Sequence, residues 1–147
     1  MRYTIGEVAK MFNISISTLR FYDKEGLLLN LERDSSGVRK FNENNIETIR
    51  LIEYLKKAGM QIKDIKEFIH WVDLGDKTIT KRKEMFLKQK KNVENKILEL
   101  EKTLAMINFK CWYYEQAEKD HTEENVKNIS LDEIPKDIRK LYEKSHS

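Results

Sequence analysis

Between residues 79 and 111 apolar side chains return at every seventh position, and that period leaves the chain few ways to fold. Ile79, Phe86, Val93, Leu100 and Ile107 form one series. Lys83, Lys90, Ile97, Leu104 and Cys111 form its companion, and from Val93 onward both series are apolar at alternating spacings of four and three. Such a stripe is the seam of a coiled coil and needs a partner helix. Its eight apolar side chains, at roughly 1.5–3 kcal/mol each, are worth about 12–24 kcal/mol before entropy costs. The helix spans about 50 Å at about 1.5 Å per residue. No other segment is long enough to cover it, but a second copy is. The stripe therefore predicts a homodimer joined through Val93, Ile97, Leu100, Leu104, Ile107 and Cys111. Lys83 and Lys90 weaken the first half of the seam, which points that half partly toward the partner's head.

Few residues in the chain break helices. Among 147 residues Pro occurs once and Gly five times, so a mostly helical protein is expected. The net charge of +3 is too small to identify a polyanionic partner by itself. By segment, residues 1–74 hold 12 basic and 11 acidic residues, residues 75–111 hold 10 and 5, and residues 112–147 hold 6 and 9. Bulk charge would put DNA on the middle segment. A groove-reading head needs only a few well-placed cations, so that inference is rejected. The acidic tail is expected to avoid phosphate. Cys111 stands alone, which excludes an intramolecular disulfide and suits a reducing compartment. No apolar run approaches the roughly 20 residues of a membrane span, and Met1-Arg2-Tyr3-Thr4 lacks a secretory core. A cytoplasmic protein with no membrane partner is expected.

Two short helices open the chain. Thr4 is a candidate N-cap with Glu7 completing a capping box, and Ile5, Val8, Ala9 and Phe12 form an inward stripe. That helix stops at Asn13-Ile14, and Ser15 caps a second one. The pair is a helix-turn-helix pattern, although many helical hairpins look alike. The second helix carries Ser17, Thr18, Arg20, Tyr22 and Lys24 at expected exposed positions, donors that reach phosphates or base edges. A solvated face that happens to carry Arg and Lys is the alternative.

Gly26 ends the second helix. Arg33-Asp34-Ser35-Ser36-Gly37-Val38-Arg39-Lys40 then reads as a two-stranded wing with turn chemistry at its tip and Arg33, Arg39 and Lys40 available for phosphates. Asn42 or Asn44 caps a third helix with Ile46, Ile49, Ile52, Leu55 and Ala58 inward. A fourth follows with Ile62, Ile65, Ile69 and Val72 inward and Phe68 and Trp71 beside them. Met60-Gln61-Ile62-Lys63 reads as a second, helical wing, and Gly75-Asp76 marks the end of the head.

With these motifs in order, the chain resembles the MerR family of transcription regulators. The resemblance rests on Leu19-Arg20-Phe21-Tyr22-Asp23-Lys24-Glu25-Gly26-Leu27-Leu28, on Arg33 with Gly37-Val38-Arg39-Lys40-Phe41, and on Leu55 through Ile65, and it extends over about residues 3–110. It implies that Ser17, Thr18, Arg20 and Tyr22 are recognition-helix contacts, that Arg39 touches backbone phosphate, and that Lys57 and Gly59 approach DNA in the second wing. Phe21 stands where a Tyr is more usual, which removes a hydroxyl. The resemblance also implies an antiparallel coiled coil that sets two heads about 34–36 Å apart on successive major grooves. The partners implied are a palindromic double-stranded promoter, distorted when an effector binds, and RNA polymerase at that promoter.

The chain is thus expected to be mainly α: a winged helix-turn-helix head (1–75), a dimerising coiled-coil helix (76–114) and a short helical tail (115–147). The tail is expected as polar loop over 120–130, then a helix from near Ser130 carrying Leu131, Ile134, Ile138, Leu141 and Tyr142. Metal-sensing relatives carry paired Cys near the end of the dimerising helix. Here Cys111 has no companion and His121 is isolated, so no metal site and no cofactor are expected. Cys111 reads instead as a small buried hydrophobe of the seam. Gly75 through Ile79 resembles the linker of the small aldehyde- and electrophile-responsive relatives, but their third-helix Cys is replaced by Tyr54. Phe109, Trp112, Tyr113 and Tyr114 either pack the helix end or line a pocket for a small organic effector. With no Gly-rich phosphate loop, no metal triad and no His beside a nucleophile, the chain is not expected to be an enzyme. A coiled-coil adaptor that binds protein through a non-reading head is the competing class.

Overall fold

The computed structural model describes residues 1–147, which divide into two compact units, Met1–Gln89 and Lys90–Ser147. In the first, Thr4 starts helix α1 (Ile5–Phe12) by accepting the Glu7 N–H at 3.2 Å. The expected box is not reciprocal: the Glu7 carboxylate accepts from the Thr4 hydroxyl instead of the cap's own N–H. Asn13 closes α1 in the left-handed region (φ 53°), which a short amide side chain tolerates. Ser15 then caps α2 (Ile16–Lys24).

Strands β1 (Glu32–Arg33) and β2 (Arg39–Lys40) are antiparallel, with Arg33 opposite Arg39. One oxygen of Asp34 folds their turn by accepting from the Ser36 N–H, the Ser36 hydroxyl and the Val38 N–H. Those bonds, the Ser36 hydroxyl first, hold the Asp34 carboxyl below its ordinary range. A backbone bridge from Tyr3 to Phe41 and a forked Arg2–Glu32 pair tie the N-terminus to the wing.

Asn42, rather than Asn44, caps α3 (Glu43–Lys57) in a reciprocal box with Asn45. Asn45 is buried, and its remaining amide donates to the Leu29 carbonyl at 3.3 Å, so no polar group there is left unmet. Ile46, Ile49, Ile52 and Leu55 from α3 join Ile65, Phe68 and Ile69 from α4 (Ile62–Leu74), with Val8, Leu19, Leu27 and Phe41, in one core. Val72, expected inward, is exposed. It borders an open groove that Leu51 of α3 and Phe68 of α4 also line.

A single 3-10 turn, Asp76–Thr78, connects α4 to α5 (Ile79–Asp120). Thr78 is buried with its hydroxyl on the Trp71 and Gly75 carbonyls, and Arg82 donates to both Gly75 O (3.0 Å) and Thr78 Oγ1 (3.1 Å). Phe86, a member of the heptad series, packs edge-on against Phe68 at 5.4 Å. This contact explains why the first unit takes in the start of α5.

The second unit holds the rest of α5, a one-turn helix α6 (Glu124–Lys127), a 3-10 turn at Leu131–Glu133 and α7 (Lys136–Ser145). Its small core is Ala105, Phe109, Ala117, Val126 and Ile134. The tail helix therefore begins at Lys136 and not near Ser130, and part of the expected loop is helical. The cause is Pro135, whose ring pushes the preceding Ile134 into an extended conformation (ψ 134°). Leu131, expected on the inward stripe, is consequently exposed.

Within this unit α5 has two unlike faces. Leu100 and Phe109 are nine residues apart, about half a revolution at about 100° per residue. Leu100 is 68% exposed, together with Ile97, Leu104 and Ile107, whereas Phe109 is 8% exposed beneath Tyr142. The tail covers the face opposite the apolar seam and leaves the seam open. No helix is long and apolar enough to cross a membrane.

Candidate nucleic-acid interface

Helix α2 presents its polar face through its cap. The Ser15 hydroxyl lies 2.9 Å from that of Ser17 and 2.7 Å from that of Thr18 and accepts the Thr18 N–H at 3.0 Å. Ser17 is exposed, whereas Thr18 is half-buried with its hydroxyl committed to this local net. Arg20 and Lys24 are exposed and have no partner within the chain. Phe21 is exposed and packs edge-on against Tyr22 at 6.4 Å.

Tyr22 is not an exposed donor. It is 1% accessible, because its place three residues after Leu19 puts it on the inward stripe of α2. Its hydroxyl donates to Glu53 Oε2 at 2.5 Å and accepts from Lys56 Nζ at 2.8 Å. Burial, reinforced by the Glu53 carboxylate, pushes the phenol well above its ordinary pKa. Tyr22 thus bolts the recognition helix onto α3.

The wing stands beside this helix. Arg33 Nη2 and Arg39 Nε both donate to Asp23 Oδ2, at 2.6 and 2.8 Å. Asp23, Arg33 and Arg39, with Ser17, Arg20 and Lys24, line a groove of about 580 Å³ between α2 and the wing. Lys40 is half-buried on β2 and makes no ion pair.

The second wing is a helix end followed by a helix start. Gly59 (φ 93°) donates to Lys56 O at 2.9 Å and Met60 donates to Leu55 O at 3.0 Å, a Schellman closure that a residue with a Cβ would strain. Gly26 (φ 75°) closes α2 the same way, through Asp23 O and Tyr22 O. Lys57 is exposed just before Gly59, its ammonium 6.0 Å from the Tyr54 ring.

The four aromatics near the end of α5 fall into two groups. Phe109 meets Trp112 at 5.9 Å and Tyr142 at 5.2 Å. Tyr113 meets Tyr114 at 5.0 Å, donates to Glu123 and lies under Lys110. Cys111, expected as a buried hydrophobe, is exposed in the chain taken alone, since its seam position has no partner helix within the chain.

Two residues of this site escaped the sequence reading: Asp23 and Glu53. Glu53 left no local signal. Asp23 did, as a carboxylate in the last turn of a helix otherwise furnished with phosphate donors.

The chain matches the family described as MerR HTH family regulatory protein over residues 3–70 and the one described as MerR, DNA binding over residues 46–108. It is 41% identical to an HTH-type transcriptional regulator of Haemophilus influenzae, over 92% of this chain and 98% of the relative. It is 32% identical to the HTH-type transcriptional regulator AdhR of Bacillus subtilis, over 60% and 64%. Among solved structures it resembles HiNmlR, a MerR family regulator lacking the sensor domain and bound to promoter DNA, with 40% identity, a TM-score of 0.77 and coverage of 85% and 99%. A MerR family transcriptional regulator from Bacillus thuringiensis gives 44% identity, a TM-score of 0.68 and coverage of 76% and 97%. A helix-turn-helix head with two wings, carried on a long helix and matched at this level, belongs to the MerR family of DNA-binding transcription regulators.

Proposed function

We propose that the chain binds a palindromic promoter as a homodimer and distorts it in response to an effector. The observation that carries this reading is the groove between α2 and the first wing, where unpaired Arg20 and Lys24 face the guanidinium pair Arg33 and Arg39. Ser17, Thr18 and Arg20 enter the major groove, and Arg33, Arg39 and Lys40 hold flanking phosphates. Lys57 and Gly59 approach the backbone from the second wing. Tyr22 supports these contacts from behind.

The seam from Val93, half-buried, through the exposed Ile97, Leu100, Leu104, Ile107 and Cys111 supports dimerisation, with the units 1–75, 76–114 and 115–147 acting as reader, dimeriser and lid. RNA polymerase is the partner at the promoter, and the cytoplasm is the site of action. A small organic effector meets the rings at the end of α5, of which Tyr114 is the most open; Phe109 serves packing. Selection of duplexes from a random library, with sedimentation of the bound protein, tests the reading. Recovery of a two-fold symmetric sequence bound by two copies is expected. A lone subunit at micromolar concentration, with no symmetric sequence enriched, overturns it.

A further inference from the structure

Asp23 stands against two electrostatic preferences at once. It is a carboxylate in the last turn of α2, where the helix dipole disfavours negative charge. It also lines the groove proposed above for a polyanion, where every acidic group opposes binding. Its geometry supplies the compensation. Only 17% of the side chain is exposed, and a single oxygen, Oδ2, receives Arg33 Nη2 at 2.6 Å and Arg39 Nε at 2.8 Å. Those arginines are direct cross-strand partners, so one carboxylate on the recognition helix grips both strands of the wing. Arg33 is fixed a second time by Nη1 on the Gly37 carbonyl at 3.4 Å. Arg39 is held through Nε alone, and both of its Nη groups keep their donors free.

We propose that Asp23 is a positioning residue for DNA recognition: it sets the wing against the recognition helix and orients Arg33 and Arg39 for phosphates before DNA arrives. A flexible arginine loses side-chain freedom when it docks, and one already oriented loses less. The proposal rests on the docking described under the proposed function, and it predicts an effect opposite in sign to simple charge repulsion. Removing an acidic group from a phosphate-facing groove strengthens binding to all DNA if charge alone matters. Removing a positioning group weakens binding where geometry matters, on the specific sequence.

The test uses the full-length chain, a duplex selected by the parent protein from a random library, and a scrambled duplex of equal length. In Asp23→Asn, which keeps shape and removes charge, affinity for the selected duplex falls about tenfold while affinity for the scrambled one holds or rises. Asp23→Glu recovers part of the loss. In an Arg33→Ala, Arg39→Ala background, Asp23→Asn produces no further loss, since its effect runs through those arginines. Thermal melting of each variant checks that the head is folded. Equal tightening on both duplexes, or no change on either, overturns the proposal while the docking stands. If the Arg33→Ala, Arg39→Ala protein itself binds the selected duplex like the parent, the docking fails, and this role for Asp23 fails with it.

Discussion

Leu100 and Phe109 lie on opposite sides of one helix, the first open to solvent and the second sealed beneath Tyr142. The same helix can therefore pair with another copy and hold its own tail without conflict. Leu100→Asp is expected to leave the tail docked and yield a lone subunit in sedimentation at micromolar concentration, since a carboxylate in a seam must be desolvated. Phe109→Ala is expected to keep the dimer and loosen the tail, at a cost of about 3 kcal/mol, the low end for Phe truncation in so small a core. Limited proteolysis after Asp120 reads the second effect. Exchange of the two phenotypes would refute the assignment of the faces.

Arg20 and Arg39 are expected to fail differently. Arg20→Ala should relax base preference at one position of each half-site, at about 1–3 kcal/mol, because a guanidinium reading a base edge is replaced by nothing. Arg39→Ala should weaken binding across sequences, the selected one included, and flatten the dependence of log affinity on log salt by about one unit per subunit. Footprints of both variants identical to the parent would show the docking to be wrong.

Tyr22→Phe removes the hydroxyl shared with Glu53 and Lys56 and should cost about 1–3 kcal/mol, a fall of several degrees in Tm, with the selected sequence unchanged. The phenol is raised in the folded chain. Its contribution is therefore full below the unfolded value of about 10 and is lost as pH rises through the folded value. The gap between parent and variant melts should accordingly narrow in strong alkali. A variant that melts like the parent but selects a different sequence would return Tyr22 to the DNA-contacting set.

Asp34 gives the opposite sign. Its carboxyl is lowered by the bonds that fold the wing turn, so their benefit is present above the ordinary carboxylate pKa and is lost as pH falls through the lowered one. Amide signals of Ser36 and Val38 should move together in acid, below the range where exposed carboxyls titrate. Asp34→Asn keeps an accepting oxygen and should abolish that step. Persistence of the step in Asp34→Asn would assign it to another group.

Much of this architecture was legible because periodicity and caps are local. Thr4, Ser15, Asn42, Gly26 and Gly59 each announce a helix end within a few residues, and the heptad series announces a helix that needs a companion. Errors arose where a distant element decides. Tyr22 looks like an exposed donor until α3 brings Glu53 and Lys56 to it from more than thirty positions away. Val72 keeps the inward spacing but faces an open groove that α3 lines without filling. The tail helix expected from near Ser130 is postponed to Lys136 by Pro135, whose effect falls on Ile134. The Asp23 clamp lay hidden because its two arginines come from strands ten and sixteen residues further on.

The join at Gly75, Thr78 and Arg82 has a mechanical consequence. The hydroxyl, carbonyls and guanidinium of this connector are all engaged, so the first turn of α5 is bonded directly to the end of α4 and has less slack than a loop would leave. A short joint bonded in this way keeps the first turn of α5 in register with the head, the part of a DNA-binding transcription regulator that meets the duplex.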